Sequence, residues 1–511
     1  MERGAGILMH ISSLPGKFGI GTFGKEAYKF ADFLAKSGLE YWQILPVGHT
    51  SYGDSPYQCF SAFAGNPYFI DFDLLKDNGL LSEDDYIDEN YGKDPEKIDY
   101  ATIFISKHKV LKKAYKNFKK IKNTKLQDDF VDFKVENREW LYDYSLFMAL
   151  KEHFKLESWY NWDEDIKRRE PEALKKYNEL LEDEIEYWSF VQFLFYKQWF
   201  ELKEYVNSIG IKFIGDIPIY VAEDSVDTWS RPKNFKMNQR TLKPLCVAGC
   251  PPDAFSEDGQ LWGNLIYDWD NMKKDSYNWW VSRVKESLKL YDVLRIDHFR
   301  GFQGYWEIPY GEKTAVNGKW VKGPGIDLFN QIKKELGEVE VIAEDLGFLT
   351  DDVLEFLDET GFPGMKILQF AFSGEGDNVY LPHNYPNNCI AYTGTHDNDT
   401  FLGWYSETGS VDESLIAKKY LGLNKEEGYN WGFIKGVWNS VADVAIAPMQ
   451  DFLNLGNEAR MNFPSTLAGN WQWRAKKNSY DNELAGRILE MSTYSGRYFP
   501  EVEEDEEEEE S

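Results

Sequence analysis

Short apolar segments with strand character alternate with helical segments along most of this 511-residue chain. Near its start, a strand at 6–11, a helix at 27–37 and a second strand at 41–47 predict a right-handed parallel crossover unit. The later strand segments are 212–216, 292–297, 339–344, 365–369 and 389–393, with an eighth near 444–447. Seven or eight parallel strands with helical crossovers predict an α/β fold, a (β/α)8 TIM barrel. A doubly wound parallel sheet stays open as the alternative.

The spacing of these segments also predicts how the chain is divided. Residues 1–75 would form the first part of the barrel, and residues 76–205 a large, mainly helical insertion subdomain, with its clearest helices at 137–154 and 186–206. Residues 206–500 would supply the rest of the barrel, including further loop insertions around the catalytic face. The tail 501–511 carries nine carboxylates and no basic residue, so we expect it to be disordered. Further helices are expected at 326–336, 351–357 and 439–453.

The charge balance restricts the partners of the chain. Its 57 basic and 86 acidic residues give a formal net charge of −29, and the body is acidic even without the tail. We expect no nucleic-acid partner and no membrane partner, because both favour basic surfaces. No signal-peptide pattern, long apolar window or zinc-type cysteine spacing is found, so we expect a cytoplasmic protein with free thiols. The sequence leaves the oligomeric state open.

Four carboxylates stand at or just beyond the ends of predicted strands: Asp216, Asp297, Glu344 and Asp397. In a barrel these ends converge on one face, where active sites lie. Arg295 and Asp297 are two residues apart on a strand, so their side chains point to the same side. A guanidinium there would keep Asp297 ionised and oriented, as a glycosidic nucleophile requires, while the longer Glu344 could reach across a sugar as the acid.

Other interpretations of these residues stay open. A carboxylate after a strand often caps the next helix, and Asn398, Asp399 or Thr400 could do so after the last of the four. Residues 19–24 match G-x-G-x-x-G, which keeps a dinucleotide enzyme as a weak alternative. The seven histidines form no ligand pairs, so no metal site is expected. The tryptophan pair 279–280 and the segment Trp471-Gln-Trp473 could each bind a ligand, but the first pair is expected to pack a helix.

Several segments resemble signatures of the 4-α-glucanotransferases (amylomaltases or disproportionating enzymes), glycoside hydrolase family 77 of the α-amylase clan. They occur in the order of the family and span nearly the whole chain to about residue 500. The three central segments are Arg295-Ile-Asp-His-Phe-Arg-Gly-Phe302, Ala343-Glu-Asp-Leu-Gly347 and Gly394-Thr-His-Asp-Asn398. The others are His10-Ile-Ser-Ser-Leu-Pro15, Asp54-Ser-Pro-Tyr-Gln58, Ala64-Gly-Asn-Pro67, Gly259-Gln-Leu-Trp-Gly-Asn264 and Arg460-Met-Asn462.

The resemblance implies a role for each matching residue. Asp297 would be the nucleophile, Glu344 the acid/base, and Asp397 the third acid, which grips substrate hydroxyls and stabilises the transition state. The substrate would be a maltooligosaccharide or other α-1,4-glucan, and the resemblance implies no cofactor. Substrate-binding roles are implied for Tyr57, Asp216, Trp262, Arg295, His298, His396 and Asn462.

Two segments depart from the family pattern. Where the family usually has a Tyr-Phe pair over the acceptor groove, this chain has Ala254-Phe255, so one ring is missing. Where the family has Asn-x-Pro-Gly-Thr, this chain has Ser465 in place of the glycine. Transfer between glucans is inferred from the family, because the residues alone leave hydrolysis by a related enzyme equally open. A glucan-binding protein without catalysis is a further alternative.

Overall fold

Fourteen strands make up the sheets of the computed structural model, which describes residues 1–122, 124–252, 256–347, 349–464, 466 and 468–499. Eight of them form a central barrel and six lie in two smaller antiparallel sheets. Numbered along the chain, they are β1 (Gly4–Leu8), β2 (Tyr41–Gln43), β3 (Lys212–Pro218), β4 (Met237–Asn238), β5 (Lys243–Pro244), β6 (Cys246–Cys250), β7 (Gln260–Leu265), β8 (Val293–Asp297), β9 (Gly304–Pro309), β10 (Lys319–Lys322), β11 (Val341–Ala343), β12 (Gly364–Ile367), β13 (Cys389–Tyr392) and β14 (Val444–Pro448).

The barrel strands follow one another around the ring in chain order. The order is β1, β2, β3, β8, β11, β12, β13 and β14, every pairing is parallel, and β14 pairs back to β1. Between β11 and β12 the Ala343 N–H donates to the Pro363 carbonyl at 2.9 Å, so the ring is nearly closed. This arrangement confirms the predicted (β/α)8 barrel and excludes the doubly wound sheet, which has two open edges.

Helices pack outside the barrel and make up most of the segment between β2 and β3, which contains α2 to α8. The structure has α1 (Lys25–Lys36), α2 (Phe72–Asp77), α3 (Tyr100–Phe118), α4 (Thr124–Glu136), α5 (Leu141–His153), α6 (Glu164–Lys167), α7 (Pro171–Leu180), α8 (Glu182–Ser208), α9 (Val226–Ser230), α10 (Trp269–Lys274), α11 (Asn278–Leu290), α12 (Ile326–Leu336), α13 (Asp351–Thr360), α14 (Phe401–Gly403), α15 (Val411–Leu421), α16 (Tyr429–Trp438), α17 (Met449–Phe452) and α18 (Asn482–Tyr494).

One predicted helix, at 439–453, is wrong. This stretch contains β14, which confirms the eighth strand expected near 444–447, and only the short helix α17. All five residues of β14 are buried, because the strand pairs with β1 on one side and β13 on the other. A strand that is apolar on both faces has no alternation, so its pattern is easily mistaken for that of a buried helix.

The long helix α8 holds the segment that follows β2 against the barrel. Gln192 accepts the N–H of Gly65 and donates to its carbonyl, at 2.8 and 2.9 Å. Gln198 makes the same pair of bonds with Asp71, at 2.8 and 3.0 Å. The two buried amides therefore satisfy main-chain groups that a buried loop would otherwise leave without partners. These bonds anchor Gly65 and Asp71, in the stretch of chain that follows Tyr57, to helix α8.

Close approach explains a glycine beside one of the predicted site residues. A Cβ atom on Gly215 would lie 2.0 Å from the ring of Tyr291, so any larger residue in this part of β3 would collide with the ring. The hydroxyl of Tyr291 accepts the N–H of Val47 at 3.4 Å, just beyond β2. Because residue 215 is glycine, the ring of Tyr291 can pack against β3 while its hydroxyl binds the chain just beyond β2.

A four-stranded antiparallel sheet, in the order β10, β9, β6 and β7, stands beside the barrel and carries Trp262. Over the ranges that the structure describes, no helix combines the length and the apolar character needed to cross a membrane. The tail 501–511, predicted to be disordered, lies outside the described residues.

Candidate active site

Neighbouring barrel strands bring the predicted residues to one end of the barrel. Asp216 on β3 pairs in register with Arg295 on β8, and Asp297 is the last residue of β8. Glu344 follows β11 directly, and its N–H donates to the Ile296 carbonyl at 3.1 Å. Residues widely separated in sequence therefore meet because their strands are adjacent and parallel.

The guanidinium of Arg295 is the centre of this group. Its Nη1 lies 2.6 Å from Oδ2 of Asp216 and 3.3 Å from Oδ1 of Asp297, and its Nη2 lies 3.9 Å from Oε2 of Glu344. The arginine side chain is only 3% exposed. The hydroxyl of Tyr57 also donates to Asp216, at 2.8 Å. One buried cation thus lies within 4 Å of three carboxyl groups and forms its shortest contact with Asp216.

Burial and mutual repulsion divide the protonation states of the carboxyl groups. Burial raises the pKa of Glu344 to about 8, with a further contribution from the charge of Asp297. Burial raises the pKa of Asp297 as well, but the adjacent Arg295 opposes the shift. The same two influences take the pKa of Asp216 to about 7. Burial therefore favours a protonated Glu344, while the charge of Arg295 favours the ionised form of Asp297; these are the two states that an acid and a nucleophile require.

His298 links β8 to Glu344 through its main chain. Its φ is 51°, in the left-handed region that few non-glycine residues adopt, and its N–H donates to Oε2 of Glu344 at 2.5 Å. Its ring meets Trp262 edge to face at a centroid distance of 4.7 Å. Burial lowers the pKa of His298 to about 3, so the imidazole is neutral. The unusual backbone conformation aims a donor at the carboxyl group.

Aromatic rings form one wall beside the carboxylates. The rings of Tyr57 and His396 stack at a centroid distance of 5.1 Å, and Trp471 lies 5.8 and 5.9 Å from them. Burial lowers the pKa of His396 to about 4, so this imidazole is also neutral. Such a wall can pack against the apolar face of a sugar.

Asp397 is the most accessible of the four carboxylates, with a side chain 42% exposed. Its Oδ1 lies 3.3 Å from Nε2 of His396 and accepts from the amide of Asn462 at 2.6 Å. The helix cap is elsewhere: the Thr400 hydroxyl accepts the N–H of Gly403 at the start of α14. The neutral side chains of His396 and Asn462 hold Asp397 in place, and its carboxyl group remains accessible to solvent.

One residue of the site was missed by the sequence analysis, and another was not assigned to the carboxylate cluster. Trp471 belongs to the segment Trp471-Gln-Trp473, named above as able to bind a ligand, and it contacts Tyr57 and His396. Arg460 was noted only as part of a matching segment, yet it lies 2.5 Å from Asp399 and donates to the Asp397 carbonyl at 2.6 Å. Neither residue lies on a barrel strand, so the strand pattern gave no signal for them.

The other predictions about possible ligand sites have mixed outcomes. Trp279 and Trp280 are buried in α11, which confirms that they pack the helix. Ala254, Phe255 and Ser465, where the chain departs from the family pattern, lie outside the described residues. Among the side chains that the structure describes, no three or more His, Cys, Asp and Glu residues are grouped to hold a metal ion.

The glycine-rich segment at 19–24 is packed against the protein. A Cβ on Gly21 would lie 1.8 Å from the Ile11 carbonyl, and one on Gly24 would lie 2.0 Å from the Asp71 carboxylate. That carboxylate also accepts from the Thr22 hydroxyl at 2.6 Å. Because Asp71 brings negative charge to the start of α1, where a pyrophosphate would have to bind, the arrangement favours a packing role for these glycines.

Comparison with known proteins agrees with this geometry. A family model described as 4-alpha-glucanotransferase matches residues 9–479. The 4-alpha-glucanotransferase of Clostridium butyricum is 60% identical over 489 residues, which are 96% of this chain and 100% of that protein. An amylomaltase from Streptococcus agalactiae, solved in complex with acarbose, has a TM-score of 0.94 at 46% identity and covers 98% of this chain and 100% of its own.

A more distant structure supports the fold alone. The amylomaltase of Corynebacterium glutamicum has a TM-score of 0.77 at 18% identity, covering 97% of this chain and 74% of that chain. The family match over most of the chain, together with relatives at 46% to 60% identity, confirms the resemblance noted in the sequence. This chain belongs to the 4-α-glucanotransferase family.

Proposed function

We propose that this chain moves α-1,4-glucan segments between maltooligosaccharides by a retaining double displacement, with Asp297 as nucleophile and Glu344 as acid/base. The observation that carries the proposal is the buried guanidinium of Arg295, which joins Asp216, Asp297 and Glu344 in one cluster. A retaining transferase needs one ionised and one protonated carboxyl group on either side of the same bond. The contact of Arg295 with Asp297 and the raised pKa of Glu344 support this assignment.

In the first step, Asp297 attacks the anomeric carbon of the donor glucan. The contact with Arg295 favours its ionised form in spite of burial. Glu344, with a pKa of about 8, is protonated at neutral pH and gives its proton to the leaving glycosidic oxygen. The bond between sugar and leaving oxygen breaks while a bond between sugar and Asp297 forms. The enzyme then holds a covalent glycosyl ester.

In the second step, Glu344 acts as a base. It accepts the proton of the 4-hydroxyl of an acceptor glucan, and that oxygen displaces Asp297 from the anomeric carbon. Two inversions restore the original α configuration. If water attacks in place of the acceptor, the result is hydrolysis, so the outcome depends on acceptor binding and on exclusion of water.

The remaining predicted residues hold the reacting sugar. Asp397 would accept hydrogen bonds from its hydroxyl groups, and Asn462 orients that carboxylate. The neutral imidazoles of His298 and His396 can each donate or accept one hydrogen bond. Tyr57 and Trp262 offer apolar ring surface, and Asp216 fixes Arg295 from behind. The amylomaltase solved with acarbose, a maltooligosaccharide analogue, supports a glucan ligand for this cleft.

The test is the product pattern from pure maltotriose. Transfer predicts glucose together with maltopentaose and longer chains, whereas hydrolysis predicts glucose and maltose without chains longer than the substrate. Wild-type protein and an Asp297→Asn variant are compared by chromatography of the products. Longer chains from the wild type and none from the variant support the proposal. Absence of longer chains from the wild type would favour a hydrolase and overturn it.

We also propose that the protein works in the cytoplasm. The proposal is supported by the unpaired thiols of Cys59, Cys246 and Cys389, since such thiols persist in a reducing compartment. Fractionation of the native host, followed by detection of this chain, would test it; recovery from an oxidising compartment would contradict it.

A further inference from the structure

Arg460 connects two loops beside the proposed site: the loop between β13 and α14, and the chain that follows α17. Its Nη1 lies 2.5 Å from Oδ1 of Asp399, its Nη2 donates to the Asp397 carbonyl at 2.6 Å, and its Nε donates to the Asn462 carbonyl at 2.8 Å. Its guanidinium also lies over the ring of Phe463, 4.4 Å from the ring centre. The ion pair is largely buried, with the two side chains 14% and 15% exposed. Every nitrogen of the guanidinium therefore has an acceptor.

The same two loops also join through Asn462. Its N–H donates to the His396 carbonyl at 3.2 Å, and its side-chain amide donates to Oδ1 of Asp397 at 2.6 Å. Arg460 holds the main chain at both ends of this contact, because it binds the carbonyls of Asn462 and Asp397. The orientation of the Asp397 carboxylate thus depends on its contact with Asn462, and Arg460 stabilises that contact.

The loop between β13 and α14 is anchored differently at its two ends, which we call its base, and around Asp399, which we call its tip. At the base, the buried carboxylate of Asp451 accepts from the Thr393 hydroxyl and from the Phe401 N–H, at 2.6 and 2.7 Å. At the tip, Asp399 accepts from Arg460 and from the Thr408 hydroxyl, the latter at 2.8 Å. Loss of Arg460 would leave the contacts at the base intact and would remove the ion pair with Asp399 at the tip. A change confined to the tip would act on Asp397 and leave the barrel unchanged.

We propose that Arg460, paired with Asp399, is a positioning residue that fixes the Asp397 carboxylate and Asn462 for the reacting sugar. The inference rests on the proposed function, since it acts through a residue of that mechanism. Arg460 itself would touch no substrate. Removing it should weaken interactions that are strongest in the transition state, so kcat should fall more than KM rises.

The primary variants are Arg460→Ala and Asp399→Asn. Loss of a charge-assisted hydrogen bond predicts a kcat for maltotriose transfer about 10- to 100-fold lower in R460A, with KM changed less than about threefold. Asp399→Asn keeps the shape of the side chain but removes its charge, so we expect a smaller loss of kcat and near-native folding. It keeps the proposal testable if R460A unfolds. Unchanged kcat in both folded variants would overturn it.

A double-mutant cycle distinguishes positioning from a general structural role. If Arg460 acts through Asp397, R460A should lower the rate far less in an Asp397→Asn background than in the wild type. An α-maltosyl fluoride donor, with its good leaving group, keeps these slow variants measurable. Equal losses in both backgrounds would contradict action through Asp397.

Arg169 provides a matched control in the segment between β2 and β3. It pairs with Asp143 at 2.6 Å and lies 4.3 Å from the ring centre of Trp229, much as Arg460 pairs with Asp399 and covers Phe463. Arg169→Ala should leave kcat unchanged, and a loss equal to that of R460A would overturn the proposal.

If the wild-type protein forms no chains longer than maltotriose, the proposed function fails first. If it does and only the R460A prediction fails, the positioning role alone is rejected.

Discussion

Two arginines organise the carboxylates of the cleft in different ways. Arg295 projects from a barrel strand, is almost completely buried, and contacts the side chains of Asp216, Asp297 and Glu344. Arg460 lies on a loop, is slightly more exposed, and binds two main-chain carbonyls as well as one carboxylate. In the proposed mechanism, Arg295 sets the charge at the reacting carboxyl groups, and Arg460 sets the shape of the loop that carries Asp397.

The comparison separates residues that must be present from residues that tune the site. A buried ion cluster in a sheet has no way to relax when its cation is removed, so its loss is costly. A loop can move when one contact is lost, and water can replace a missing donor near the surface. Variants of the Arg295 cluster should therefore have larger effects than variants around Arg460.

The largest effect is expected from Arg295→Met. The variant leaves three carboxyl groups in a buried site without their cation, which should lower the free energy of unfolding by about 3–5 kcal/mol and abolish transfer. Urea unfolding and the maltotriose assay measure the two effects. Arg169→Met, which removes a single ion pair whose side chains are 21% and 24% exposed, should cost markedly less. Equal losses of stability in the two variants would remove the basis of the comparison.

Glu344→Gln tests the protonation state within the Arg295 cluster. Loss of the acid/base should lower kcat by about 10²- to 10⁴-fold. In the wild type, kcat/KM should fall as pH rises through about 8, because the acid loses its proton there. The variant should lack this alkaline fall. Glu307→Gln is a suitable control, since Glu307 pairs with Lys236 at 2.5 Å and its side chain is as buried as that of Glu344.

An unchanged alkaline limb in Glu344→Gln would contradict the assignment of that limb to Glu344. A comparable loss of kcat in Glu307→Gln would show that any buried glutamate affects the rate.

Tyr57→Phe weakens the Arg295 cluster without removing a charge. The variant keeps the ring beside His396 but loses the hydrogen bond to Asp216, so kcat should fall about 10-fold. Tyr205→Phe is its control, because Tyr205 makes a similar bond to Asp32, 2.5 Å long, between α1 and α8. A Tyr57→Phe protein as active as the wild type would show that Asp216 needs no support from this side.

The smallest effect is expected near Arg460. Thr408→Val removes the second donor to Asp399, which should lower kcat about two- to fivefold while Arg460 still holds the carboxylate. Thr408→Ser keeps the hydroxyl and should retain the wild-type rate. Initial rates of maltotriose transfer measure both. A loss in Thr408→Val as large as in Glu344→Gln would contradict the ranking of the two arginines.

The same comparison explains what could be predicted from the sequence. Arg295 and Asp297 lie on a strand whose twofold periodicity puts both side chains on one side, and parallel strand ends must meet in a barrel. Arg460 and Trp471 follow the last strand on irregular chain, where no periodicity links a residue to its neighbours in space. The wrong helix at 439–453 has a related cause, because a fully buried strand has no alternation.

The most direct test of the central claim is to capture the glycosyl group on the nucleophile. Glu344→Gln protein is incubated with α-maltosyl fluoride, quenched in acid, digested and analysed by mass spectrometry. Fluoride needs no acid to depart, whereas the second step needs the missing base, so the covalent ester should accumulate. We predict one maltosyl group on the peptide that contains Asp297. A maltosyl group on any other peptide, or equally fast fluoride release by Asp297→Asn protein, would contradict the account.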